Sequence, residues 1–174
     1  MDRIRILQLV ICGAHQANGV LKIISVAQNE GWSVQVAATH SALAFVDARQ
    51  VEELVGQPIR TEQRTPQDPR PPRADALIVA PATFNTVNKI AQGIADNYAT
   101  SIAAEAVGLR IPVIIAPSLN AALAAREPFL RSISSLKREG VRIVTSSHPS
   151  ATGTEPGEEF PWSMVMQELR SLSG

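Results

Sequence analysis

This chain has few of the residues that staple, metallate or anchor a protein, and each shortage excludes something. Cys12 is the single cysteine among 174 residues. An internal disulfide is therefore impossible, and a cysteine-built zinc site is excluded. Neither sign of charge is in excess: Lys and Arg total 16, Asp and Glu total 16, and the formal net charge is zero. A balanced chain offers no electrostatic case for nucleic acid or for an anionic membrane surface. No apolar run reaches membrane-spanning length. Asp2, Arg3 and Arg5 interrupt the first apolar segment, which does not read as a secretion signal. What is present suits a folded core, with 45% apolar and 18% charged residues. The expectation is one soluble, cytoplasmic domain over residues 1–174, with no metal centre.

Hydrophobic patterning alternates between two periods. Ile4 to Cys12 is apolar almost throughout and reads as a strand buried on both faces. Ala17 to Glu30 has helical spacing and stops at Gly31. A strand from Ser33 to Thr39 precedes a second helix carrying Leu43, Phe45, Val46, Val51 and Leu54, closed by Gly56 and Pro58, with a weak strand signal near Ile59. Four prolines between Thr65 and Arg73 require a surface loop. Then come a strand from Ala76 to Ala80, helix interrupted near Gly93 and resumed to Val107, and a strand from Pro112 to Ala116. Ala121 to Arg138 reads as helix with a break at Pro128, Val141 to Thr145 as strand, and Trp162 to Leu172 as a last amphipathic helix after a Gly/Pro loop. Alternation with short joints implies an α/β fold: a parallel sheet, helices on both faces, ligands at the carboxyl ends of the strands.

Four strand-end segments carry the functional signal. Gly13-Ala14-His15-Gln16-Ala17 is either a tight strand-to-helix turn or a small-residue turn whose N–H groups meet an anion. In Thr39-His40-Ser41-Ala42-Leu43-Ala44-Phe45, the hydroxyls suit a helix cap or a phosphate, and Phe45 suits packing on a flat ring. His40 reads as an exposed turn residue. Pro81-Ala82-Thr83-Phe84-Asn85-Thr86, followed by Lys89, Gly93, Ala95, Asp96 and Asn97, empties a buried strand into hydroxyls and amides. Thr83 or Asn85 would cap a helix there, yet so many donors and acceptors also suit the rim of a heterocycle. In Pro117-Ser118-Leu119-Asn120, Asn120 is a helix cap or a ligand contact.

Together these segments resemble the homo-oligomeric flavin-containing cysteine decarboxylase family, which includes phosphopantothenoylcysteine decarboxylase and enzymes acting on the C-terminal cysteine of lantibiotic-type peptides. PATFNTVNKIAQGIADN is similar to that family's PASANT motif with its trailing lysine and GIADN, THSALAFV to its Thr-x-x-Ala-x-x-Phe segment, and ICGAHQA to its phosphate turn. The resemblance runs from about residue 4 to about residue 157. It implies a Rossmann-like doubly wound sheet and a homo-oligomer built from trimers, which the Ala-rich stretch Ala99 to Val107 would suit by close packing of another chain. It implies bound FMN, with Gly13, Ala14, His15, Thr39, Ser41, Phe45, Pro81, Ala82, Thr83, Asn85, Thr86 and Lys89 at the cofactor. Asn120, Pro117 and Leu119 would meet a cysteine-containing peptide or small-molecule substrate.

The chain also departs from that pattern. The family's histidine, a few residues ahead of an Ala-Asp pair, is missing: Ala74-Asp75 matches the pair, but Gln67 or Asp68 occupies the histidine's place. The substrate motif Pro-x-Met-Asn-x-x-Met-Trp keeps its proline and asparagine, while leucines replace both methionines and Ala124 the tryptophan. Ala151-Thr152-Gly153 stands where the coenzyme A enzyme has its late-loop cysteine. The resemblance with these departures implies oxidative decarboxylation of a C-terminal peptide cysteine ending at an enethiol, with the phosphopantothenoylcysteine decarboxylase of coenzyme A biosynthesis and an FMN-binding protein without decarboxylase activity as the alternatives. Asn120 would hold the substrate, and His15 is the candidate replacement base by location.

Overall fold

The computed structural model describes residues 3–145 and 160–172. Five parallel strands lie in the order β2-β1-β3-β4-β5. They are β1 (Arg5–Ile11), β2 (Trp32–Ala38), β3 (Ala76–Ala82), β4 (Val113–Pro117) and β5 (Arg142–Ile143). The helices are α1 (Val20–Asn29), α2 (Ala48–Val55), α3 (Phe84–Ala91), α4 (Tyr98–Gly108), α5 (Ala121–Ala124), α6 (Glu127–Arg138) and α7 (Trp162–Ser171), with two 3-10 turns at His15–Gly19 and His40–Ala44. The order reverses at β1, whose neighbours are β2 and β3. Such a switch opens a crevice beyond the carboxyl ends of the strands.

Period-two alternation divides the core into two layers. Leu7, Leu9 and Ile11 of β1 join Ile78, Ile114, α1 and α7 on one face of the sheet. Val10, Leu77, Val79, Val113 and Ile115 join α4 and α6 on the other. Every residue of β3 is buried, which explains its unbroken apolar run. Burial of each of the largest of these side chains is worth about 1.5–3 kcal/mol, as an upper estimate.

Some boundaries differ from the sequence reading. The strand at Ala76 runs to Ala82, through a cis Ala80–Pro81 bond and a register shift between Val79 and Ala82. The first helical stretch divides into a 3-10 turn and α1. The second helix begins only at Ala48, because Asp47 Oδ1 accepts from Gln50 N at 3.1 Å and fixes its start. Near Ile59 the chain makes a single bridge, Arg60 to Ala37. The break in 121–138 falls before Pro128, which sits in the first turn of α6, where a missing N–H leaves no bond unmade. The Ala-rich helix spends its small side chains inside: Ala99, Ala103 and Ala106 are buried in this chain's own core. They let α4 approach the sheet closely, so they offer no flat face to another chain.

Candidate functional site

The first two strand ends form one patch. Thr39 N donates to Ile11 O at 2.9 Å, bringing the turn after β2 against the turn after β1. Gly13 is required where they meet, since a Cβ there would lie 2.7 Å from Ser41 Oγ and 3.1 Å from its backbone carbon. Thr39 Oγ1 and Ser41 Oγ share a hydrogen bond of 3.2 Å. The exposed His15 sets its ring edge-on to half-buried Phe45, with centroids 5.3 Å apart. Gly13, Ala14, His15, Thr39, Ser41 and Phe45 are thus brought together.

The third segment is more inward than its composition implies. Pro81 and Ala82 are buried strand residues. Thr83 caps α3, accepting from Thr86 N, and donates to Thr86 Oγ1 at 3.1 Å. Thr86 is itself buried and also accepts from Cys12 Sγ at 3.4 Å. Both hydroxyls therefore serve the packing of α3 under the strand end. Burial pushes the Cys12 thiol up, against a smaller lowering by the hydrogen bonds with Thr86 and the Thr83 backbone. Asn85 alone of this group is exposed. Lys89 Nζ pairs with Asp96 Oδ2 at 2.6 Å, and this bond holds the Asp96 carboxyl below its usual range. Asn97 and Thr100 cap the start of α4 reciprocally.

At the end of β4, Pro117 and Leu119 are buried, and Leu119 packs in the core. Asn120 is exposed. Its Oδ1 accepts from Leu123 N at 2.9 Å, capping α5 and leaving the amide N–H donors outside the cap. Sequence reasoning missed the partner of this segment: Ser118 Oγ donates to Gln16 Oε1 at 2.6 Å. Ser118 N also donates to Ala82 O at 2.8 Å. The turns after β1, β3 and β4 are thereby tied to one another. Nothing in a single serine and a single glutamine signals a contact across 102 positions.

In the loop ahead of β3, Gln67 is exposed, and the Asp68 carboxylate accepts from Thr65 N at 2.6 Å, closing a local turn. Asp75 accepts from Ile6 N at 2.8 Å and pairs with Arg3, so this acid anchors the loop to β1. Ala151-Thr152-Gly153 lies outside the described residues. Among the described residues no cluster of His, Cys, Asp or Glu could hold a metal, and no helix is long and apolar enough to cross a membrane.

The donor set at the strand ends consists of hydroxyls, amides, imidazole and an aromatic edge, and the acid Asp96 is already paired with Lys89. The backbone turn at Gly13, the hydroxyls of Thr39 and Ser41 and the ring of Phe45 fit a group with a phosphate at one end and a flat heteroaromatic ring at the other. The comparisons agree with it. The solved FMN-dependent cysteine decarboxylase SpaF superposes with a TM-score of 0.74 at 26% identity, covering 99% of this chain and 98% of its own. The corresponding enzyme TvaF from thioviridamide biosynthesis gives 0.77 at 26% identity, covering 98% and 99%. The coenzyme A biosynthesis bifunctional protein CoaBC of Mycobacterium bovis is 29% identical over 168 residues, 90% of this chain but 39% of the longer protein. A shorter stretch of 45 residues, 26% of this chain and 19% of its relative, is 56% identical to a dihydromethanopterin reductase (acceptor) of Methanosarcina mazei. The Flavoprotein family model matches residues 1–171, and with the strand-end geometry in agreement, the chain belongs to the Flavoprotein family.

Proposed function

We propose that this chain binds FMN at the strand-end patch and oxidatively decarboxylates a C-terminal cysteine of a peptide, releasing an enethiol. The observation that carries the reading is the placement of Asn120, exposed at the end of β4 on a segment tied by Ser118 to the turn that bears His15. Gly13, Ala14, Thr39 and Ser41 would hold the phosphate, while Phe45 and Asn85 would meet the ring. Bound FMN would supply a two-electron acceptor for oxidation of the substrate thiol, after which carbon dioxide departs. The Asn120 N–H donors, free of the cap, hold the substrate carboxylate or the adjoining amide oxygen. His15 is the candidate proton acceptor, since Gln67 and Asp68 stand where the resembled family has histidine and the Asp68 carboxylate is engaged locally. Similarity to SpaF and TvaF supports FMN-dependent cysteine decarboxylation. The motif resemblance supports a cytoplasmic homo-oligomer built from trimers.

Two other readings have their own support. Similarity to CoaBC favours phosphopantothenoylcysteine as substrate, against which stand the altered Pro117–Ala124 segment and the thiol-free Ala151-Thr152-Gly153. The missing histidine and the reductase-like stretch favour a flavoprotein without decarboxylase activity. One experiment separates all three. FMN-loaded protein is incubated with cysteine-terminated peptides and with phosphopantothenoylcysteine, and the products are weighed. Loss of carbon dioxide and two hydrogens from a peptide upholds the proposal. The same loss from phosphopantothenoylcysteine alone selects the second reading, and intact substrates with bound flavin select the third.

A further inference from the structure

Away from the strand-end patch, the 60–74 segment and α4 together line an open cleft of about 480 Å3. Its lining shares no residue with the patch. Leu77, Ile102, Ala106 and Ile111 supply an apolar floor. Arg60, Arg64, Arg70 and Arg73 line the same cavity, and Glu105 is the one acid that does. None of these four arginines forms an ion pair among the described residues; Arg60 lies 6.0 Å over the Tyr98 ring, and Arg64 makes a long bond to Asp68 O. The nearby Asp68 carboxylate, held below its usual range by its hydrogen bonds with Thr65 first and by Arg60 and Arg64 less, offsets part of this charge. Positive charge is therefore in excess in this cleft, on a chain whose net charge is zero.

We propose that this cleft is a second ligand site, taking a small organic anion with a phosphate or more than one carboxylate. Guanidinium groups present paired N–H donors that match the oxygens of either group, and several of them favour a multiply charged ligand. Leu77, Ile102 and Ile111 seat the compact apolar part of the same molecule. The volume falls within the range of about 300–1,000 Å3 usual for small-molecule sites. Gln8, Tyr98 and Ser101 add uncharged polar groups along the wall, enough to orient a ligand as well as attract it.

The test is calorimetric titration of the FMN-saturated protein at low salt, first with pyrophosphate and then with citrate, while flavin absorbance is followed. The absorbance shows beforehand whether FMN is bound at all, so failure of the cofactor reading is seen separately. Saturable binding of either anion at one site per chain is expected, and the preferred probe identifies the phosphate or the carboxylate arm. Arg64→Gln with Arg73→Gln should weaken it about tenfold or more. Glu105→Gln, which removes the lining acid, should tighten it about threefold. Arg131→Gln with Arg138→Gln on α6 should change nothing. Absence of binding by both anions, or equal weakening in the α6 variant, would overturn the proposal. The opposite sign expected for Glu105→Gln keeps the test decisive if the double variant folds poorly.

Discussion

Ser118 and Gln16 meet through a 2.6 Å side-chain bond that joins the turns following β4 and β1, the two strands that flank β3. Ser118 is buried and Gln16 half-buried, so the bond is partly shielded from water. Ser118→Ala removes the donor and should lower stability by about 1–3 kcal/mol in thermal or urea unfolding. Because the same bond ties the Asn120 segment to the turn after β1, the proposed function predicts that the variant raises KM for a cysteine-terminated peptide more than it lowers kcat. Unchanged stability together with unchanged KM would show that the bond positions nothing.

Asn120 serves a cap and, in the proposed function, a substrate, and two substitutions separate these roles. Asn120→Ala loses both and should cost about 1 kcal/mol of stability as well as turnover, with flavin still bound. Asn120→Asp keeps an oxygen for Leu123 N but has no N–H donors. It should unfold like the parent and still fail to turn over substrate. An active Asn120→Asp protein would reduce the residue to a cap. His15→Asn, in parallel, should slow the reaction without altering the oligomer by light scattering.

Gly13→Ala places a methyl group against Ser41 Oγ and its backbone. The two turns must separate by several tenths of an ångström, at a cost of about 1–3 kcal/mol. Flavin titration should show FMN affinity reduced by at least about tenfold, a loss equivalent to about 1.4 kcal/mol. Gly108→Ala, at a position where an added Cβ meets nothing within 4 Å, is the control and should leave affinity unchanged.

The Lys89–Asp96 pair gives a pH dependence with a definite sign. Hydrogen bonding to Lys89 lowers the folded-state pKa of Asp96 below its unfolded value. Its contribution to stability is therefore complete above the unfolded pKa, about 4, and is lost as pH falls through the folded value. Both side chains are partly exposed, so the effect is small. Lys89→Met should reduce stability slightly at pH 7, with the difference from the parent narrowing below about pH 4.

Cys12 is fully buried, and burial raises its thiol pKa. A thiol held protonated and out of solvent does not attack electrophiles. Native protein should react with a thiol reagent such as Ellman's reagent only at the rate of local opening, and completely once urea unfolds it. Rapid labelling of the native protein would contradict the burial of β1's end.

The sheet was legible in the sequence because strands buried on both faces leave unbroken apolar runs, and β3 is the clearest of them. The patch formed by Gly13, Ser41 and Phe45 was legible for a different reason: small and hydroxyl residues followed strands at the end where α/β sheets bind ligands. Thr83 and Thr86 show where such reading stops. A hydroxyl that caps a helix and one that faces a ligand are the same letter, and only the hydrogen bond to Cys12 and the burial of Thr86 separate them. Leu119 looked like a substrate contact by its place in a motif, yet its own hydrophobicity turns it into the core. The helix boundaries at Ala48 and Glu127 depended on which polar residue captured a backbone N–H and where a proline fitted, local competitions that periodicity does not resolve.

Trp162, at the start of α7, lies so close to Gly19 that any Cβ there would overlap its indole Nε1. The turn His15–Gly19, encoded near the beginning, is thus braced by a helix made some 140 residues later, whose Val165, Met166 and Leu169 are buried against the sheet. On the ribosome, the early strands can pair before this brace exists, but the turn His15–Gly19 is braced only after α7 has emerged. Ligand competence therefore waits for α7. A nascent chain arrested before Trp162 should acquire sheet structure while lacking flavin affinity, which makes flavin capture a reporter of the emergence of α7.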